Sequence, residues 1–251
     1  MDELVLIGIG AGNPDHLTRQ GEAALRAADA VLIPQKGAGK ADLAELRFET
    51  CRRILGNEDK IVPVNMPVRD VEGDYHQGVN DWHDAIAQAW QTALAGAGHP
   101  TKVAMLIWGD PSLYDSSLRI AARLSPQPKT TVIPGITALQ ALTAAHTIPL
   151  NDVNAPVLIT TGRQLRDFGW PKGADTVAVM LDGECSFRHL DPEGIQIWWG
   201  AYVGMDNEIL ATGALAEVSE QIVALRADAR AAHGWIMDIY LLRRIQSTSP
   251  T

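Results

Sequence analysis

The turn that decides the fold is Ile107-Trp108-Gly109-Asp110-Pro111-Ser112-Leu113-Tyr114. An apolar run of strand type, 103–107, precedes it, and a helix-compatible run that contains alanines follows it. A second turn, Ile133-Pro134-Gly135-Ile136-Thr137-Ala138, stands between the strand-like run 130–133 and another alanine-rich run. Successive βα units of this kind place both turns at the carboxyl ends of parallel strands, where open α/β sheets bind ligands.

The same βα pattern extends over the first half of the chain. It predicts strands at 4–9, 30–33 and 60–64 and helices at 18–28, 41–55 and 81–95. Thr18 is the predicted N-cap of the first helix. The segment 67–78 contains Tyr75 and His76 and lacks apolar periodicity, so it is predicted to be a long ordered loop over a site. Repeated βα units predict a parallel sheet.

A segment rich in Pro and Asn, 147–156, follows the predicted helix at 137–146 and is the predicted domain boundary. Beyond it, strands are predicted at 157–161, 176–181, 195–203 and 235–242, with a helix at 214–233. Because these strands alternate irregularly with helices, the second sheet is predicted to be mixed. The predicted organisation is an α/β protein with a parallel-sheet domain at 1–146, a mixed-sheet domain at 147–246 and a tail at 247–251.

Composition limits the classes of function. The hydrophobic content of 46% and charged content of 20% are ordinary for a globular enzyme. A net charge of −9 argues against a nucleic-acid partner but not against a small polyanion. No run is apolar enough to span a bilayer, and no signal peptide is recognisable, so a cytoplasmic protein without a membrane partner is expected. Cys51 and Cys185 lack metal spacing, and neither a disulfide framework nor a metal site is indicated.

The glycine-rich start, Gly8-Ile9-Gly10-Ala11-Gly12-Asn13-Pro14, differs from a dinucleotide-binding fingerprint. Asn13 stands at the position of the third glycine, and the second predicted strand ends in Pro34-Gln35-Lys36 instead of an acid that would bind a ribose. Two interpretations stay open. The glycines form a plain tight turn, or they allow a bulky ligand to approach the backbone.

Three motifs in order, Gly8-x-Gly10-x-Gly12-x-Pro14, Gly109-Asp110-Pro111-x-x-Tyr114 and Pro134-Gly135-Ile136-Thr137-Ala138, resemble the tetrapyrrole methylase family, the class III S-adenosylmethionine methyltransferases. The resemblance runs through nearly the whole chain. It implies two α/β/α domains with the active-site cleft between them, and a homodimer. It also implies S-adenosyl-L-methionine as methyl donor, with S-adenosyl-L-homocysteine as product.

Further stretches, at 108–116, 159–163, 199–202 and 233–243, resemble the branch of the family that acts in aerobic cobalamin biosynthesis on C-1 of precorrin-5. That resemblance implies C-methylation with hydrolytic loss of acetate. One alternative is methylation at another corrin position or of another small substrate of the family, such as a diphthamide-type or RNA-linked target, although the net negative charge disfavours RNA. The other, in a different class, is a nucleotide- or phosphate-binding sensor without chemistry. The missing Lys after the glycine run weighs against the sensor.

The resemblance also implies site residues. Cofactor contacts are expected from Pro14, Trp108, Gly109, Asp110, Thr137, Ala138, Met180, Ala201 and Met237. Without the family, Asp110 would be interpreted as a helix cap, and Met180 and Ala201 as core residues.

The substrate of this branch carries several carboxylates, so arginines and lysines in loops near the strand ends are candidates to bind it. These candidates are Lys36, Arg69, Arg163 and Arg166. The hydrolytic step needs a base for water and donors for the oxyanion. His16, Asp115 and Tyr114 are the first candidates because they lie beside the glycine turns, and Asp15, His76 and His146 are the other bases considered.

Overall fold

The structure, a computed structural model, describes residues 1–35, 41–68 and 75–245, without the side chains of 41–43, 75 and 76. The chain divides into two compact units, Met1–Thr137 and Ala138–Thr251. The sequence pattern placed the boundary after residue 146 instead. The helix Ala138–His146 belongs to the second unit because it packs against strands of the second sheet.

The first unit contains a sheet of five parallel strands. They are β1 (Glu3–Gly8), β2 (Ala30–Gln35), β3 (Ile61–Asn65), β4 (Lys102–Ile107) and β5 (Lys129–Ile133), in the spatial order β3-β2-β4-β1-β5. Gly8 at the end of β1 lies opposite Ile107, and Ile7 lies opposite Ile133. The chain segments that follow β1, β4 and β5 therefore leave the sheet side by side, as the sequence predicts.

Helices cover both faces of this sheet. They are α1 (Arg19–Ala27), α2 (Ala41–Leu55), α3 (Tyr75–Gly96) and α4 (Ser117–Ala121). Alternate side chains of β1 point to opposite faces. Leu4 and Leu6 pack in one apolar cluster with Trp90 of α3, whereas Val5 and Ile7 pack in the other with side chains of α1 and α2. Thr18 caps α1 as predicted, since its Oγ1 accepts a 3.0 Å hydrogen bond from the Gly21 amide.

The second unit contains a mixed sheet. Its strands are β6 (Val157–Thr161), β7 (Thr176–Met180), β8 (Ile195–Ala201), β9 (Ile209–Ala214) and β10 (Asp238–Arg244), in the order β6-β7-β10-β8-β9. Among the described strands of this sheet, β6 and β7 are the one pair in parallel. On one face, α7 (Leu215–His233) packs through Leu215, Ile222 and Ala229. Leu165 of α6 (Gly162–Phe168) packs in the same apolar cluster as α7. On the other face, α5 (Ala138–His146) contacts β8 and β10. The α/β class with one parallel and one mixed sheet is confirmed.

Several elements differ from their predicted bounds. The predicted loop at 67–78 was wrong over 75–78, because α3 already begins at Tyr75; 69–74 lie outside the described residues. Gly78 and the neighbouring polar residues obscure this part of the helical pattern. β10 begins at Asp238 and not at 235. The strand β9 was missed because small residues and Gly213 leave it without clear alternation, and α6 was missed because it is only two turns long.

A helix able to cross a bilayer would need a long and strongly apolar sequence. Within the described ranges, no helix meets that requirement.

Candidate active site

Three glycine turns meet at the carboxyl edge of the first sheet. The Gly10 amide donates to the Gly109 carbonyl at 3.3 Å, and the Gly109 amide donates to the Gly10 carbonyl at 2.8 Å. A Cβ on Gly135 would lie 2.1 Å from the Gly109 carbonyl oxygen, and one on Gly8 would lie 2.5 Å from the Gly135 nitrogen. Gly8 and Gly135 are therefore required by packing of backbone against backbone, whether or not a ligand also approaches them.

Asp110 links two of these turns. One oxygen of its buried carboxylate, Oδ1, accepts from the amide and hydroxyl of Ser112, and Oδ2 accepts from the Gly135 amide at 2.8 Å. Burial opposes ionisation of Asp110, but these hydrogen bonds hold its pKa below the usual value. The helix-cap interpretation was wrong, because α4 begins only at Ser117. Asp110 fixes the turn at Gly135, which leads to the predicted cofactor contacts Thr137 and Ala138.

We expect Asp110→Ala to weaken binding of S-adenosyl-L-homocysteine about tenfold or more and to lower the unfolding temperature, because the Gly135 amide loses its charged acceptor. Calorimetric titration and thermal unfolding measure the two effects. Since the folded pKa is depressed, the stability that Asp110 contributes is present above about pH 4 and is lost as the pH falls below it. Wild-type affinity in the variant would show that Asp110 has no part in the site.

A first cavity, of about 250 Å³, lies beside the glycine-rich start. Three residues of its lining, Gly12, Pro14 and Trp108, belong to the motifs on which the cofactor prediction rests. From α2, Arg53 Nη2 donates to the Pro14 carbonyl at 2.7 Å. The cavity thus combines an indole and a proline ring with backbone that a flat aromatic ligand can approach closely.

A second cavity, of about 270 Å³, lies where β2 and β4 end. It is lined by two predicted catalytic residues, Tyr114 and Asp115, and by Arg47 of α2. Tyr114 has a φ of 52°, a left-handed conformation that a non-glycine residue seldom adopts and that is common at functional sites. Asp115 Oδ1 accepts from the Ser117 amide at 2.6 Å. Burial raises the pKa of the Tyr114 hydroxyl, so it remains a hydrogen-bond donor near neutral pH.

Arg47 was missed by the sequence reasoning. Its Nε donates to the Leu106 carbonyl at 2.9 Å, which ties α2 to β4. The available signal was helical spacing, because Arg47 lies four and seven residues before the buried residues Cys51 and Ile54. A charged residue on the buried face of a helix is unusual and marks a candidate site.

His16 is separate from the lining of both cavities. Its side chain packs over Gly10, where an added Cβ would lie 2.1 Å from the His16 Cβ. The buried Nδ1 has no hydrogen-bond partner in the described part of the chain. Burial lowers the pKa of the ring, while Asp15 acts in the opposite sense, so burial favours the neutral imidazole. The structure thus groups Tyr114 and Asp115 but leaves His16 apart from them.

Three predicted cofactor residues of the second unit, Met180, Ala201 and Met237, lie at one end of its sheet. Ala201 pairs with Asp238 across β8 and β10, and the Tyr202 amide donates to the Met237 carbonyl at 2.9 Å. Met180 ends the neighbouring strand β7 and is half-buried. Ala201 itself is fully buried, as its core interpretation requires.

A buried polar network supports this end of the second sheet. Arg226 binds the Asp238 carboxylate, with Nε 2.9 Å from Oδ2. Arg226 also donates to the Asp182 carbonyl, and the Tyr240 hydroxyl donates to Asp182 Oδ2 at 2.6 Å. These bonds hold the turn after β7, where Leu181 has a φ of 53° and is 67% exposed. An exposed leucine in a strained conformation beside Met180 is a candidate ligand contact.

The predicted substrate-binding residues are only partly described. Lys36 and Arg69 lie outside the described residues, as does the side chain of His76. Arg166 forms ion pairs with Asp167 and Glu184, and these raise its pKa. Arg163 is exposed in the first turn of α6. His146 Nε2 lies 3.0 Å from the Trp199 carbonyl oxygen.

The fold and the turns agree with comparisons to known proteins. Residues 3–219 match the family described as Tetrapyrrole (Corrin/Porphyrin) Methylases. The chain belongs to this family, and it is therefore a methyltransferase by descent and architecture.

Relatives within the family are close. The chain is 47% identical to Precorrin-6A synthase (deacetylating) of Sinorhizobium sp, with 97% of this chain and 96% of the relative covered. It is 31% identical to Precorrin-2 C(20)-methyltransferase of Sinorhizobium sp, with 71% of each covered. A solved structure of a cobalamin synthesis related protein (CobF) from Corynebacterium diphtheriae is 35% identical, with a TM-score of 0.84 over 98% of this chain and 100% of that one.

Proposed function

We propose that this chain is an S-adenosyl-L-methionine-dependent C-methyltransferase of aerobic cobalamin biosynthesis. It methylates C-1 of precorrin-5 with hydrolytic loss of acetate and yields precorrin-6A. The observation that carries the proposal is 47% identity, over nearly the full length of both chains, to a relative named Precorrin-6A synthase (deacetylating). The joined glycine turns and the two cavities beside them supply places for a cofactor and for chemistry.

The cofactor is proposed to bind at the glycine turns, where backbone groups and apolar walls suit an adenosyl group and a sulfonium. Pro14, Trp108 and Gly109 are its proposed contacts there, followed along the chain by Thr137 and Ala138. Asp110 orients the turn and does not need to touch the cofactor, because both its oxygens already accept hydrogen bonds. Methyl transfer then requires mainly alignment of the donor with C-1 and exclusion of water.

Loss of acetate is proposed to occur at the second cavity. Asp115 takes a proton from water while the water oxygen bonds to the acetyl carbonyl carbon, and Tyr114 donates to the developing oxyanion. The carbon-carbon bond to the macrocycle then breaks, acetate leaves, and the electron pair remains on the conjugated macrocycle. Of the three catalytic candidates, Tyr114 and Asp115 suit these roles because they line one cavity.

The decisive experiment mixes purified protein with S-adenosyl-L-methionine and precorrin-5. We expect one acetate for each methylated product, measured by NMR and mass spectrometry. Asp115→Asn is expected to lower acetate release about 100-fold or more while S-adenosyl-L-homocysteine binds as before, because an amide is not a base. Methylation of wild-type protein without acetate release would contradict the proposal.

A second candidate function is methylation at another corrin position, which the similarity to Precorrin-2 C(20)-methyltransferase supports. A panel of precorrins in the same assay separates the two, since each position gives a distinct product by NMR. We also propose a cytoplasmic homodimer, as the family resemblance implies. Sedimentation equilibrium tests the dimer, and a monomer at micromolar concentration would contradict it.

A further inference from the structure

Leu181 combines two features that do not favour the fold. It follows the last residue of β7 and has a φ of 53°, a left-handed conformation that glycine adopts freely but that a side chain opposes. Its apolar side chain is 67% exposed, so little of it gains from burial. Glycine at this position would avoid both the strain and the exposed apolar surface.

The neighbouring residue, Asp182, fixes the backbone at this turn. Oδ1 of its buried carboxylate accepts from the Glu184 amide at 3.0 Å and from the Ser186 hydroxyl at 2.9 Å. Oδ2 accepts from the Ser186 amide and from the Tyr240 hydroxyl, both at 2.6 Å. A buried carboxylate with this many donors has little freedom to move, and the residue joined to it is held as well.

Two helices add to this hold on the turn. From α7, Arg226 donates to the Asp182 carbonyl at 3.0 Å. At the start of α6, a Cβ on Gly162 would lie 2.4 Å from the Asp182 Cγ, so the carboxylate packs directly on that glycine. The surrounding structure therefore over-determines the conformation of Leu181. Backbone strain persists under this condition, and such strain clusters at ligand sites.

Other left-handed residues near this turn have a structural reason for their conformation. Tyr202, at φ 52° after β8, is buried, and its hydroxyl donates to the Trp235 carbonyl. Cys185, at φ 58°, is buried too. Burial offsets the strain in both residues, whereas the exposed side chain of Leu181 lacks this compensation. Contact with a ligand would supply it.

The position of Leu181 indicates the kind of ligand. Met180, the residue before it, is a predicted cofactor contact, as are Ala201 and Met237 at the same end of the second sheet. The adenosyl group of the cofactor has an uncharged aromatic face, which an aliphatic side chain contacts favourably. A leucine whose backbone is already fixed also loses less conformational entropy on binding.

We propose that Leu181 is a further cofactor-binding residue, held by Asp182 in a strained conformation so that its side chain packs against the adenosyl group. The inference rests on the proposed function, since it assigns another residue to the proposed binding of S-adenosyl-L-methionine. The strain at Leu181 is then the cost of an apolar contact that exists before the ligand binds.

Leu181→Gly tests the inference because it should separate affinity from stability. Calorimetric titration is expected to show about 10-fold weaker binding of S-adenosyl-L-homocysteine, the effect of losing one packed aliphatic side chain. The unfolding temperature without ligand should stay at the wild-type value or rise by up to about 3 °C, because glycine relieves the left-handed strain. Weaker binding together with a lower unfolding temperature would show that Leu181 acts only through the fold and would overturn the inference.

A second variant and a matched control separate the side chain from the backbone. Leu181→Ala keeps the Cβ, and with it the strain, but should weaken binding by a similar factor. His99→Gly is the control, because His99 is exposed and has a φ of 56° after α3, where its amide donates to the Leu94 carbonyl. It should relieve strain in the same way, while the affinity for S-adenosyl-L-homocysteine stays within about twofold.

A smaller ligand shows which part of the cofactor Leu181 contacts. 5′-Methylthioadenosine keeps the adenosyl group and lacks the amino-acid end, so Leu181→Gly should weaken its binding by the same factor. Wild-type affinity for either ligand in both Leu181 variants would overturn the inference. If wild-type protein binds S-adenosyl-L-homocysteine but does not methylate precorrin-5, the proposed function fails while the role of Leu181 is still measurable.

Discussion

Replacing Gly135 with alanine is expected to destabilise the first unit by about 3 kcal/mol or more and to abolish binding of S-adenosyl-L-homocysteine. The added Cβ would lie 2.1 Å from the Gly109 carbonyl oxygen and 2.7 Å from the Gly8 carbonyl carbon. Both atoms are backbone, so neither can move aside as a side chain would. Relief of the overlap must separate the three turns, and the proposed cofactor site depends on their arrangement.

Urea unfolding and calorimetric titration measure these two effects. Gly96→Ala is the matched control, because Gly96 ends α3 and a Cβ there would meet no atom within 4 Å. It is expected to stabilise the protein slightly, by about 0.4–1 kcal/mol, since alanine restricts the unfolded chain. A loss of stability no larger in Gly135→Ala than in the control would mean that the turns are not packed as described.

The second large effect is expected for Arg226→Met, at about 3–5 kcal/mol of unfolding free energy. Of the hydrogen bonds to the Asp238 carboxylate from the described residues, the variant keeps the one from the Trp199 indole, at 3.1 Å. Burial already raises the pKa of Asp238 against the opposing effect of Arg226. Without Arg226 that pKa rises further, so the carboxyl binds a proton more readily in the folded state than in the unfolded state. The destabilisation should therefore be smallest near pH 4 and grow as the pH rises.

Denaturant unfolding at several pH values measures this prediction. Replacing both partners, Arg226→Met with Asp238→Leu, should recover at least about half of the loss, because the Asp238 carboxylate is then no longer buried without its partner. Arg188→Met is the control, since the Arg188 and Glu220 pair is exposed and should contribute less than about 1 kcal/mol. A pH-independent loss in Arg226→Met would contradict the proposed origin of the effect.

The strands around the site could be predicted from sequence because each is an apolar run followed by Gly and Pro, the residues that most often mark turns. The run before Trp108 and the run before Pro134 became β4 and β5, which end at Ile107 and Ile133. Helices and strands were predicted less well where the local sequence pattern and the tertiary packing favour different structures. Gly78 weakens helix propensity, yet α3 continues through it because the helix packs its later residues, such as Trp90, against the sheet.

Some residues of the candidate site could likewise be predicted from sequence, and others could not. Tyr114 and Asp115 were selected because they adjoin a recognisable turn, and they line one cavity. Arg47 lies far from any motif along the chain and reaches the site through the packing of α2. Its helical spacing could therefore indicate a buried position but not the cavity that it lines. For Asp110 the sequence allowed a helix cap or a ligand contact, whereas the actual partner, the Gly135 amide, is distant along the chain and depends on the strand order.

The order β3-β2-β4-β1-β5 also bears on how the protein is made. β1 is synthesised first, yet both of its neighbours, β4 and β5, come from residues beyond 100. At typical translation speeds of about 5–20 residues per second, β1 emerges about 5–20 s before its first pairing partner. Its apolar edges stay unpaired throughout that interval, and the three glycine turns meet only after β5 has been synthesised. The carboxyl edge of this sheet, where the candidate site lies, is therefore among the last parts of the first sheet to be assembled on the ribosome, and nascent chains truncated before residue 133 should lack it.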